Sequence, residues 1–121
     1  MLLSDLLSWL NTCPHLDGKA VFPDYLPAYE GWSCAVAKQE TRTDILGTRR
    51  QVLTLTLTRR ITVQNEAERL ALLEKTGAVV SWCAANPMPG TRVRPDGLPV
   101  LTARSPSGTE DAAVTFCVTE C

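Results

Sequence analysis

The sequence predicts an α+β domain, with antiparallel strands and helices packed on the sheet they form. Three observations predict it. Residues 50–60 alternate leucine and threonine over a full strand, two segments space their apolar residues for a helix face, and residues 100–120 read as a hairpin. At 121 residues the chain has the size of one domain, spanning 1–121, which buries roughly two-thirds of its unfolded surface. Hydrophobic residues make up 45% and charged residues 21%, a globular composition rather than a disordered or disulfide-dense one.

Taken in order, Leu2, Leu3, Leu6, Leu7 and Leu10 form one stripe of a short helix that ends before Pro14. So short a helix is marginal alone in water, so the stripe docks on the domain's own sheet. Pro14, Gly18, Pro23, Pro27 and Gly31 then leave room for a short strand near Lys19–Phe22, followed by an irregular connection. The aromatics Phe22, Tyr25 and Tyr29 in that stretch cover a sheet edge or meet a partner. Trp32–Lys38 is a strand with Trp32, Cys34, Val36 and Lys38 on one face, and Gln39–Thr48, with its charges and Gly47, is a long exposed loop.

Arg50–Arg60 is the clearest strand: Leu53, Leu55 and Leu57 point one way, Thr54, Thr56 and Thr58 the other. Fully extended it spans ~37 Å, about the width of the domain, which places Arg49, Arg50, Arg59 and Arg60 at the rim. Asn65 caps the next helix, and Glu66 and Glu68 suit its positive end. The apolar face of that helix centres on Leu70 and Leu73, then shifts to Val79, Val80 and Cys83, so the helix breaks or kinks at Gly77 and resumes to about Ala85. Asn86–Pro99, rich in proline and glycine, is a loop or arm. Val100–Arg104 and Ala112–Glu120 form a hairpin around a turn at Ser105–Asp111, with Val114, Phe116 and Val118 on one face.

The net charge of −1 gives no whole-molecule field to attract a nucleic acid or an anionic membrane. No apolar run approaches the ~20 residues of a membrane span. The apolar start lacks a basic segment and contains Asp5, so it reads as a helix and not a secretory signal. Five scattered cysteines, an odd number, argue for reduced thiols in a cytoplasm.

Chemistry finds little support. Cys13 and His15, two residues apart, are the only pair resembling an activated nucleophile, and a helix-end thiol beside a surface imidazole explains the same letters. Metal-ligand spacings and phosphate-binding glycine loops are missing, so neither a metal nor another cofactor is expected, nor an enzyme. The arginines at 49–50 and 59–60, with Arg42, Arg92, Arg94 and Arg104, offer a local basic surface for phosphate, for a partner's carboxylates or for solvent.

Leu6–Leu16 (LLSWLNTCPHL), Glu30-Gly31-Trp32-Ser33, Thr48-Arg49-Arg50-Gln51, the Leu73–Gly77 segment, Val80-Ser81-Trp82, Asn86-Pro87 and the end Phe116–Glu120 occur in that order. Together they resemble a family of small prophage proteins called minor capsid or tail terminator proteins. The likeness covers nearly the whole chain and rests on the order and spacing of weak motifs. The proline-rich 87–99 connection and the Cys121 end depart from the family pattern.

The resemblance implies a mixed, mainly antiparallel sheet with helices packed against it, a tail-terminator-like α/β sandwich. It also implies a structural virion protein, assembled in the bacterial host cytoplasm. Several copies, typically six, form a ring that ends tail-tube polymerisation and joins tail to head. The implied partners are further copies of the chain, the tail tube protein and the head connector protein. DNA passes through the lumen without sequence readout, and no membrane is involved. A ring needs a head-to-tail interface, for which Trp32, Arg49, Arg50, Arg59, Arg60, Arg92 and Arg94 are the candidate residues, with the aromatic 22–32 segment and the proline-rich arm. A head-completion or connector adaptor is one alternative. A small non-viral α/β regulatory or ligand-binding domain, with a closed apolar pocket, is another.

Overall fold

The structure, a computed structural model, describes residues 3–24, 26 and 30–120. Leu2, Tyr25, Tyr29 and Cys121, to which the sequence assigns roles, lie outside them. The elements run α1 (Leu3–Leu10), β1 (Val21–Pro23), β2 (Gly31–Thr43), β3 (Arg49–Thr62), α2 (Glu66–Ala85), β4 (Thr91–Arg104) and β5 (Thr109–Glu120). The sheet order is β1-β2-β3-β5-β4, with β1 parallel to β2 and every other pair antiparallel. The class is the expected one, a mixed and mainly antiparallel sheet with helices packed against it.

The leucine–threonine alternation of β3 decides which face the helices cover. Leu53, Leu55 and Leu57 pair across the ladder with Val118, Phe116 and Val114 of β5. All six are buried in one cluster with Leu6 and Leu10 of α1 and Val79, Val80 and Cys83 of α2. Both helices therefore lie on the leucine face. Trp9 of α1 meets Trp82 of α2 with ring centroids 6.1 Å apart, and its Nε1 donates to the Asn86 carbonyl at 2.8 Å. The opposite face carries Thr54, Thr56 and Thr58, paired with Cys117, Thr115 and Ala113, and no described helix covers it.

Asn65 caps α2 as expected: its Oδ1 accepts from the Glu68 amide at 3.0 Å, while Glu68 Oε2 accepts from the Gln64 amide at 2.8 Å. The expected break at Gly77 is absent: α2 runs unbroken from Glu66 to Ala85, and one buried stripe passes across Gly77. Leu72, Thr76, Val79, Val80 and Cys83 are buried at spacings of three or four. Thr76 joins that stripe by donating its hydroxyl to the Leu72 carbonyl at 2.7 Å, which satisfies its one buried polar group. Leu70, expected at the centre of the face, is 57% exposed. Gly77 serves close packing instead: a Cβ there would stand 3.3 Å from Pro99 Cγ.

Pro99 reaches the helix because β4 bulges. Residues 91–99 are strand rather than the expected loop and run on into the expected strand at Val100–Arg104, and the ladder to β5 shifts register between Asp96 and Val100. Pro95 and Pro99 are tolerated because β4 is an edge strand, where one side of the backbone has no ladder to donate to. The closing turn is also tighter than expected. It occupies residues 105–108, with Gly108 at φ 92° and its amide donating to the Ser105 carbonyl, so Glu110 and Asp111 belong to β5.

Half of the expected loop at Gln39–Thr48 is strand as well. β2 continues to Thr43, paired with Arg49, and only Asp44–Thr48 turns. Beyond Val52, β3 has left β5, so residues 41–51 form a two-stranded arm projecting past the sheet. With water on both faces, such an arm has no apolar face to betray it as strand. A register shift between Val36 and Lys38 sends Lys38 to the threonine face, opposite Thr54, and not to the face of Trp32 and Cys34.

An arginine groove on the open sheet face

The period of two along a strand sorts the candidate arginines. On β3, Arg50 and Arg60 share the threonine face, while Arg59 shares the leucine face. Arg42 stands opposite Arg50 across the β2–β3 ladder, and on β4 Arg92 and Arg94 stand opposite Thr119 and Cys117 of β5. These four arginines converge around a groove of about 280 Å³ floored by Val52, Cys117 and Thr119, with Glu120 also lining it.

Carboxylates satisfy only part of the groove. Glu40 lies 2.6 Å from Lys38 and 3.6 Å from Arg42, and the Lys38 hydrogen bond, foremost, holds its carboxyl below the usual range. Asp44 is 4.0 Å from Arg50. Arg92 and Arg94 are exposed and form no ion pair among the described residues. Like charges facing one another across a ladder cost stability, so the groove spends folding energy on positive charge that suits a planar anion. Guanidinium groups grip carboxylates or phosphates in paired hydrogen bonds.

Arg49 is exposed beside the turn at the end of the arm, opposite Thr43. Of the other candidates, Trp32 and Arg59 are buried and Arg60 is half-buried. Trp32 is fully buried, and its indole Nε1 donates to the Leu16 carbonyl at 3.2 Å. Arg59, expected at the rim, is 3% exposed, with its guanidinium carbon 4.8 Å from the centroid of the Trp32 ring. Its Nη2 donates to Glu30 at 3.2 Å and to Asp17 at 3.5 Å, and Lys75 Nζ holds both Asp17 oxygens at 2.7 Å. Burial pulls the Arg59 pKa down against the pull of those carboxylates, and its Nε and Nη1 are buried without a hydrogen-bond partner among the described residues. Beside it lies a second groove of about 330 Å³, bordered by Asp17, Glu30, Glu68 and Lys75.

Arg60 is engaged by Asp111 in a two-bond pair, Nε to Oδ1 at 2.7 Å and Nη2 to Oδ2 at 3.0 Å. On the other face Glu110 receives Arg69 at 2.7 and 2.9 Å and Arg104 at 3.3 Å. The Arg69 hydrogen bonds, foremost, hold the Glu110 carboxyl below its usual range. These acidic partners were hidden in the sequence, where Glu110 and Asp111 read as turn residues. The signal for Arg59 was available: of two consecutive arginines on a half-buried strand, one must face the core.

Cys13, Cys34 and Cys83 are buried in the common core, and burial pushes the thiols of Cys34 and Cys83 up to about 12 and that of Cys13 in the same direction. His15 is exposed, apart from that core. Among the described residues no group of three His, Cys, Asp or Glu side chains is placed to hold a metal ion, and no helix is long and apolar enough to cross a membrane. No protein-family model matches the chain, and no curated protein matches it.

Proposed function

We propose that the chain is a structural virion-assembly protein, a tail terminator whose copies, six in the form the family resemblance implies, close into a ring. The ring ends tail-tube polymerisation and offers its other side to the head connector protein. The observation that carries this reading is where the exposed apolar side chains lie. Ile45 and Leu46 cap the projecting arm at 103% and 91% exposure, while Leu98 at 85% and Val100 at 57% lie on the free edge strand β4. Two different apolar surfaces on one chain are what a head-to-tail interface requires, and such an interface closes into a ring when its rotation allows.

The arginine groove on the open face then serves as a contact for carboxylates of the tube or connector protein. DNA crosses the lumen without base readout, the sequence having no basic excess to hold it. Light scattering and electron microscopy of the purified chain with tail tube protein test the reading. Rings and tubes of uniform length support it. A strict monomer that leaves tube length uncontrolled overturns it, and binding to portal protein but not to tube protein transfers it to a head-completion adaptor.

A further inference from the structure

We infer that the contact between copies is made by the arm tip of one copy, Ile45 and Leu46, seated in the apolar groove between α2 and β4 of the next. This inference rests on the ring reading, and it names the surfaces that the ring would join. The tip is a built structure. Asp44 Oδ1 accepts from the amides of Leu46 and Thr48, both at 2.9 Å, the Asp44 amide donates to the Thr48 carbonyl at 3.0 Å, and Gly47 supplies the positive φ of 82°. A braced turn that holds two large apolar side chains wholly in water presents them to something.

The groove measures about 410 Å³. Val80 and Val114 lie within it, Gly77 and Ala78 leave the helix wall low, and the β4 bulge supplies Leu98 and Pro99 as the opposite wall. The tip cannot fill the groove of its own chain. The β4 segment 95–99 lies level with Leu55–Thr58 of β3 in the ladders, some ten residues from the tip, or roughly 30 Å along the strand. In a ring the occupant is a second copy, and the charges beside the two surfaces match. Arg49 adjoins the tip, Glu74 lines the groove, and both are exposed with no ion pair among the described residues.

Mixing two single variants, Leu46→Cys and Leu98→Cys, under mild oxidation tests the contact. The expected product is a disulfide-linked heterodimer that forms only in the mixture. Leu46→Cys linking to itself at the same rate would mean a tip-to-tip contact and overturn the inference. The double variant Ile45→Ser/Leu46→Ser, altered where no fold contact exists, should keep the wild-type circular dichroism and melting curve while its self-association weakens at least tenfold. Unchanged self-association, or a wild type that stays monomeric at every concentration, overturns the inference. Arg49→Glu should weaken association, and mixing it with Glu74→Arg should restore it; no rescue counts against the pairing. Cross-linking as expected with no effect on tube length upholds the contact and overturns only the tail-terminator reading.

Discussion

Replacing Gly77 by alanine separates a continuous α2 from a broken one once Pro99 no longer obstructs it, because the two structures then give opposite signs. Inside a helix alanine is favoured over glycine by ~1 kcal/mol. At a left-handed helix terminus the same change costs ~1 kcal/mol or more. Gly77 lies within the unbroken helix Glu66–Ala85, and its φ is not positive. The new Cβ would nevertheless stand 3.3 Å from Pro99 Cγ and 3.8 Å from Pro99 Cδ, so the ring must yield by a few tenths of an ångström. Overpacking of this kind costs ~1–3 kcal/mol, enough to cancel or exceed the propensity gain. In the wild-type background Gly77→Ala is therefore neutral to destabilising by ~2 kcal/mol. With Pro99→Ala already present the obstructing ring is gone, and Gly77→Ala should stabilise by ~1 kcal/mol. Urea unfolding of the four proteins, followed by helical circular dichroism, gives the coupling directly. Destabilisation by ~1 kcal/mol in both backgrounds, with no coupling, would refute the continuous helix and its contact with the β4 bulge.

Two further outcomes follow from the buried groups. With thiols pushed up to about 12, Cys34 and Cys83 should resist a thiol reagent at pH 8 in the native state, and with Cys13 should react at once in urea. Rapid native labelling of either, located by mass spectrometry, contradicts the core packing. The Glu110 carboxyl is held below its ordinary range, so its contribution to stability is complete above that range, ~4.3 in an unfolded chain, and is lost as pH falls through its folded value. Urea midpoints should therefore fall below about pH 4, and Glu110→Gln should show a shallower acid loss; parallel pH profiles would contradict the Arg69–Glu110 pairing.

How far the sequence reveals this molecule depends on whether a residue's surroundings repeat with a period. Leu53, Leu55 and Leu57 announce β3 and its buried face, and Asn65 with Glu68 announces the start of α2, because the responsible interactions are local. The β2 side of the arm, residues 41–43, was illegible: water on both faces removes the alternation, and a strand without a buried face has the composition of a loop. The first part of β4, residues 91–99, was hidden by Pro95, Gly97 and Pro99, which an edge strand with a bulge accommodates and a central strand does not. The continuity of α2 was hidden by Thr76, a polar residue on the apolar stripe that answers its own hydroxyl within the helix.

The candidate arginines divide for the same kind of reason. Arg42, Arg50, Arg92 and Arg94 meet only through the register of four strands, which no local pattern encodes, although their charge alone marked them as surface. Arg59 and Arg60 are neighbours in sequence and go to opposite faces, one buried against Trp32 and the other tied to Asp111. Trp32 fills the core because its indole has a carbonyl to donate to, a partner sixteen residues away in sequence.

Native mass spectrometry of the intact chain over a wide concentration range tests the central claim most directly. Subunits that join tip to groove and close should give one discrete assembly, six copies in the expected case, with few intermediates and nothing larger. A monomer throughout, or an open series of ever longer polymers, would contradict the account.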